Sequence, residues 1–231
     1  MPALLAAVLA AAAPTGGDGR TASPALRYLA LGDSYTIGEG VAADGRWPAQ
    51  LAARLREDGR AVDTPRIVAT TGWTTDELAS ALDAVEPLGR DWDLVSLLIG
   101  VNDQYRGRPA ADYAPAFATL LDRAIGYAGG RADRVMVLAI PDWGLTPFAV
   151  ASGRDRATIA RELDAYNATA ARICAVRGVA FIDIAPVSRA RGDEPSMLAD
   201  DGLHPSAALY AEWTRLALPS ARRALTDTSP P

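Results

Sequence analysis

Five short apolar runs, at 27–32, 65–70, 93–99, 134–140 and 179–184, alternate with amphipathic segments at 46–58, 74–83, 110–128, 155–177 and 205–224. No other feature constrains the fold as strongly. The short runs read as strands, and the longer segments carry apolar residues at helical spacing. A helix between each pair of strands implies a parallel sheet, because parallel neighbours need a long crossover and a helix supplies it. Each crossover is expected to be right-handed. The runs LVSLLIG and RVMVLAI are apolar almost throughout, as strands covered on both faces must be. The expected class is therefore α/β, with a central five-stranded parallel sheet between two helix layers. There is no internal repeat or long linker, and 231 residues suit one domain, expected over 26–226 with a short tail at 227–231.

Composition removes several kinds of chemistry. Net charge is −5 and no long basic run is present, which argues against a nucleic-acid partner. All 23 basic residues are Arg, so no lysine nucleophile or Schiff base is available. Cys174 is the only cysteine and His204 the only histidine. An internal disulfide needs a second cysteine, and a His/Cys zinc site needs more ligands than these two. No Asp/Glu cluster has calcium-loop spacing, and neither metal nor other cofactor is expected. Cys174 lies among Ala and Ile in a helical pattern and is expected to be a small buried hydrophobe. Residues 4–13 form an apolar run too short to span a bilayer, so no integral membrane segment is expected. With Ala11 and Ala13 they resemble the core and cleavage site of a secretory signal, although no basic residue precedes them and Pro14 follows. Export to the periplasm or medium is favoured slightly over the cytoplasm. Residues 1–25 then comprise this leader and a flexible Gly/Thr/Ser/Pro lead-in.

The candidate chemistry lies where the strands end. Leu29 to Leu31 stops at Gly32, and Asp33 and Ser34 follow. In an open α/β sheet, ligands bind beyond the carboxyl ends of the strands. Ser34 there is either a cap for the next helix or a nucleophile. Asp201 precedes His204 by three residues, close enough for its carboxylate to reach the imidazole across one turn. Such a carboxylate fixes the tautomer and stabilises the imidazolium that forms when histidine takes a proton. Asp200 is a rival with one residue more of spacing. Pro205 suits the first turn of the following helix. The bland alternative makes Asp201 a solvated cap and His204 a bystander. Donors for an oxyanion are available in two loops. Gly72 lacks a Cβ and brings its N–H close to a ligand, and the Asn102 amide is a neutral donor. Each also has a plain reading, as a turn and an Asx-turn respectively.

Gly32-Asp33-Ser34, Gly72, Gly100-Val101-Asn102-Asp103 and Asp201-Gly202-Leu203-His204-Pro205 together resemble the blocks of the SGNH, or GDSL, hydrolases, in order, over roughly residues 27–215. Tyr35 stands where Leu is common in that family. The resemblance implies a flavodoxin-like α/β/α sandwich and hydrolysis of acyl esters without a metal. It implies Ser34 as nucleophile, His204 as base and Asp201 as its partner, with Ser34 N–H, Gly72 N–H and the Asn102 side chain as the oxyanion hole. Asp33 is expected to shape the turn. The rate is expected to fall at acid pH, where His204 is protonated and cannot act as base.

Other readings stay open at this point. The same machinery serves acyl transfer or carbohydrate deacetylation, and the same fold serves carbohydrate binding without catalysis. Gly38-Glu39-Gly40-Val41-Ala42-Ala43 matches a dinucleotide-binding pattern, but it begins six residues past the strand end. Asn167-Ala168-Thr169 fits a glycosylation sequon inside a helical stretch. Trp47, Trp73, Tyr105, Trp143 and Phe148 are the candidate pocket walls, with Trp73, Tyr105 and Trp143 foremost as substrate contacts. They suit a small, lipid or carbohydrate ester alike. Arg106 and Arg108 face either an anionic group or solvent. Oligomeric state leaves no mark in the sequence.

Overall fold

A computed structural model describes residues 24–226. The leader expected at 4–13 and the tail at 227–231 lie outside them. Five strands, β1 (Tyr28–Gly32), β2 (Arg66–Ala69), β3 (Leu94–Leu98), β4 (Val135–Leu138) and β5 (Ala180–Ile182), form one sheet in the order β2-β1-β3-β4-β5. Every pairing is parallel. This is the flavodoxin-like order. The helices are α1 (Ser34–Ile37), α2 (Trp47–Glu57), α3 (Thr75–Val85), α4 (Val101–Tyr105), α5 (Ala110–Tyr127), α6 (Pro147–Ser152), α7 (Arg156–Arg177), α8 (Ala185–Arg191) and α9 (Ala207–Ala224).

The strand order decides the layers. The chain steps from β1 outward to β2, then back across β1 to β3, β4 and β5. Right-handed crossovers therefore put α2 on one face and α3, α5 and α7 on the other. α9 returns to pack on α2, while α5 packs on α3 and α7. β1 and β3 are buried along their whole length, as their apolar sequences require. The buried apolar cluster extends from Tyr28 to Leu225.

The longer helices follow the expected pattern, and their ends have local causes. The Thr74 hydroxyl and the Glu77 carboxylate form a capping box at the start of α3. Asp155 caps α7 through Thr158 N–H, and Gly178 ends it in the left-handed region. Three stretches that lie between the expected strands and helices, 100–109, 141–153 and 183–202, contain α4, α6 and α8. Two turns or fewer cannot display helical periodicity, so the pattern had nothing to register. The fourth apolar run is shorter as a strand than the expected 134–140. Ile140 pairs instead with the Asn167 side chain, which accepts from Ile140 N–H at 2.8 Å and donates to its carbonyl at 2.9 Å. The sequon asparagine thus secures the end of β4.

The reversal of strand order leaves a crevice between the carboxyl ends of β1 and β3. Ser34 follows β1 and Asn102 follows β3, so they flank that crevice. Gly32 makes the turn out of β1 feasible. A Cβ there would collide with the Leu98 carbonyl and the Thr36 hydroxyl.

Candidate active site

The helix cap beside the first strand is Asp33, not Ser34. Asp33 Oδ1 accepts from Tyr35 N–H at 3.0 Å. Ser34 is the first residue of α1, and its own N–H precedes the first intrahelical bond, so the helix offers it no acceptor. The Ser34 hydroxyl is likewise free of hydrogen bonds among the described residues and opens onto a cavity of about 140 Å³. His204 lines the same cavity from the far end of the chain.

Asp201 organises the histidine loop. Its Oδ1 accepts the backbone N–H of Leu203 and of His204, both at 2.9 Å. Its Oδ2 meets His204 Nδ1 at 2.6 Å. A carboxylate there makes Nδ1 the protonated nitrogen and leaves Nε2 as an acceptor. Burial acts to raise the Asp201 pKa, but the hydrogen bonds from the imidazole and the two N–H groups outweigh it, and the net direction is down. Asp200 is exposed and has no bond to the imidazole among the described residues. Pro205 is not in the first helical turn. It precedes Ser206, which caps α9 by accepting Leu209 N–H. Asp201 therefore caps no helix. The Tyr35 ring stands edge-on to the imidazole, with centroids 5.6 Å apart, and is itself buried.

Gly72 and Asn102 line the cavity opposite. Asn102 Nδ2 donates one hydrogen to the Trp73 carbonyl at 2.9 Å, which leaves its second hydrogen unspent. Gly72 has φ +89°, a left-handed conformation that favours glycine. No described group accepts its N–H.

Tyr105, Trp143 and Phe148 form the aromatic wall, joined by Val101 and Leu203. Trp73 and Trp47 do not line the cavity. The Trp73 ring packs against the core, and Trp47 is fully buried in α2. Sequence reasoning missed the residues that brace the wall. Trp143 Nε1 donates to Gln104 Oε1 at 3.0 Å, and Gln104 Nε2 donates to Glu162 at 2.6 Å. Arg154 pairs with Glu162 at 2.8 Å and lies 5.4 Å from the Trp143 ring centroid. No local sequence signal announces these contacts, since Gln104 and Glu162 are 58 residues apart.

Gly38 ends α1 as its left-handed cap, and a single 3₁₀ turn at Ala43–Gly45 follows. The glycine pattern therefore does not open a helix after a strand, as dinucleotide binding requires. Arg106 and Arg108 are not free cations. Arg106 pairs with Glu77, and Arg108 with Asp76 and Asp103. Cys174 is buried, which pushes its thiol up to about 12. Among the described residues no three His, Cys, Asp or Glu gather as metal ligands, and no helix is long and apolar enough to cross a membrane.

Asp33 carries a pH signature. Burial pushes its carboxyl from 3.8 up to about 8, the Tyr35 N–H bond opposes this, and the nearby Asp103 charge adds to it. Its Oδ2 is buried with no hydrogen-bond partner. Between 3.8 and about 8 the folded state holds a proton that the unfolded chain has lost, so stability from this group falls as pH rises across that window. Asp33→Asn keeps an acceptor for Tyr35 N–H but cannot ionise. Its melting temperature relative to the parent protein is expected to rise from pH 5 to pH 9. A difference that stays constant with pH contradicts the account.

The family model for GDSL-like Lipase/Acylhydrolase matches residues 30–212. No curated protein matches the sequence. Several solved structures share the fold. The TesA crystal structure is 23% identical with a TM-score of 0.65, covering 86% of this chain and 99% of that one. The psychrotrophic esterase EstA from a Pseudoalteromonas species is 15% identical, TM-score 0.65, covering 87% and 99%. The acetyl xylan esterase Axe2 from Geobacillus stearothermophilus is 19% identical, TM-score 0.65, covering 86% and 95%.

Proposed function

We propose that this chain, which belongs to the GDSL-like lipase/acylhydrolase family of ester-bond hydrolases, cleaves short-chain acyl esters through a serine acyl-enzyme. One observation carries the reading. Ser34 and His204 face one cavity, and His204 Nδ1 is tied to Asp201 at 2.6 Å, which leaves Nε2 to act as base.

Ser34 Oγ attacks the ester carbonyl as His204 Nε2 takes its proton, and Asp201 stabilises the imidazolium. The carbonyl oxygen becomes an oxyanion that accepts from Ser34 N–H, Gly72 N–H and Asn102 Nδ2. Ser34 N–H, Gly72 N–H and the second hydrogen of Asn102 Nδ2 have no other acceptor among the described residues, which supports that role. The imidazolium then gives its proton to the leaving alkoxide. Water, deprotonated by His204, attacks the acyl-serine; the bond from the acyl carbon to Ser34 Oγ breaks, the imidazolium returns its proton to Oγ, and the acid leaves. The unliganded protein has no bond between Ser34 and His204, a looseness common in such pairs before substrate binds.

The acyl chain is short because the space is small. The cavity of about 140 Å³ is walled by Val101, Tyr105, Trp143, Phe148 and Leu203. An acetyl to butyryl group fits, and the buried Trp143, held by Gln104, blocks extension in its direction. Across p-nitrophenyl esters from acetate to palmitate, kcat/KM is expected to peak at four carbons or fewer and to fall at least about tenfold by eight. A maximum at palmitate contradicts this reading of the cavity.

A further inference from the structure

Gly72 stands on a turn that packing holds only at its far end, where the Trp73 ring meets the core. Thr70 and Thr71 are exposed, and a Cβ added at Gly72 would meet nothing within 4 Å. Inside the turn there is one long backbone bond, from Trp73 N–H to the Thr70 carbonyl at 3.3 Å. Glycine has the widest backbone freedom of any residue. A donor placed on such a turn needs restraint from elsewhere.

That restraint comes from side chains on neighbouring elements. The Thr71 hydroxyl donates to Glu39, just beyond α1. Asn102 Nδ2 holds the Trp73 carbonyl, and Arg106 NH2 donates to the Gly72 carbonyl at 2.8 Å. The same guanidinium meets both oxygens of Glu77, at 3.1 and 3.2 Å. Glu77 in turn accepts Thr74 N–H at 2.8 Å, in the capping box that begins α3. Beside it, Asp103 accepts Thr75 N–H and the Thr75 hydroxyl at 3.0 and 2.9 Å, which locks α4 to the start of α3. Arg106, the cap at the end of α4, thus joins α3 to the Gly72 carbonyl.

We propose that Arg106 is a positioning residue for the oxyanion site: it holds the Gly72 carbonyl at the α3–α4 junction while the Thr71–Glu39 bond holds the residue before it, and the two anchors together limit where the Gly72 N–H can point. The inference rests on the reading of that N–H as an oxyanion donor. Arginine suits the task because its planar fork spans a carboxylate and a carbonyl together, whereas a lysine ammonium is a point charge on a flexible stem. The interaction matters most when charge develops on the substrate, so its loss acts on kcat more than on KM.

The test compares Arg106→Ala, Arg106→Lys and a remote control, Arg54→Ala, whose partner is the exposed Glu57. Hydrolysis of p-nitrophenyl acetate and the thermal midpoint are measured for each, with Ser34→Ala alongside. Arg106→Ala is expected to lower kcat about 10- to 100-fold with KM within about twofold, because a displaced donor costs up to about 100-fold, less than a missing one. Arg106→Lys is expected to fall between Ala and the parent, and all variants to melt close to the control. Wild-type kcat in Arg106→Ala, with Ser34→Ala inactive, overturns the proposal and leaves the esterase reading standing. Equal losses in Ala and Lys accompanied by a lowered midpoint show a purely structural role and overturn it as well. Full turnover by Ser34→Ala removes the reading beneath it, and the proposal with it.

Discussion

Ser34→Ala is expected to lose ester turnover by a factor on the order of 10⁴ or more, with its fold and melting temperature nearly unchanged. The hydroxyl has no hydrogen bond to lose among the described residues, so its removal leaves no buried partner unsatisfied. Alanine is also a good helix former, so the start of α1 is not weakened, and Asp33 still caps it. Loss of rate without loss of stability is the signature of a side chain that serves the reaction alone. Steady-state hydrolysis of p-nitrophenyl acetate, paired with a thermal melt, reads both quantities. A variant that melts normally and turns over ester at the parent rate contradicts the assignment.

His204→Ala is expected to match that loss, while Asp201→Ala retains more activity, by about two orders of magnitude. The difference follows from geometry. Without His204 the described lining of the cavity at Ser34 holds no imidazole or carboxylate to take the proton. Without Asp201 the imidazole remains, still edge-on to Tyr35 and mostly buried. What it loses is the carboxylate that sets its tautomer and stabilises its charged form. Asp201 also accepts two backbone N–H groups of the loop, so part of its effect comes through loop position. Asp201→Asn separates the two contributions, because the amide oxygen still accepts those N–H groups but gives the imidazolium no charge. Equal residual rates for the His204 and Asp201 variants would mean that Asp201 does more than orient and stabilise.

The architecture was readable because β1, β3 and β4 are buried on both faces and so had to be apolar almost throughout. The helices between them are long enough to repeat their pattern. The four short helices α1, α4, α6 and α8 span four to seven residues, too few for periodicity to rise above chance. Ser34, Gly72, Asn102 and His204 were readable because each follows an apolar run or sits in a short motif. Their shared cavity was not, since it depends on the order of strands in space. Trp73 shows where composition misleads. An aromatic beside a motif glycine reads as a pocket wall, yet its ring turns to the core and only its carbonyl serves the site. Arg106 shows the reverse. A half-exposed arginine reads as surface, and its partner Gly72 lies 34 residues away in the chain.

The proposed nucleophile is Ser34 Oγ. A p-nitrophenyl alkylphosphonate tests it directly, because the attacking oxygen displaces nitrophenolate from phosphorus and keeps the phosphonyl group. One adduct per chain is expected by intact mass, located on Ser34 after digestion, absent from Ser34→Ala and strongly slowed in His204→Ala. An adduct on any other residue, or undiminished ester hydrolysis by protein fully modified at Ser34, would contradict it.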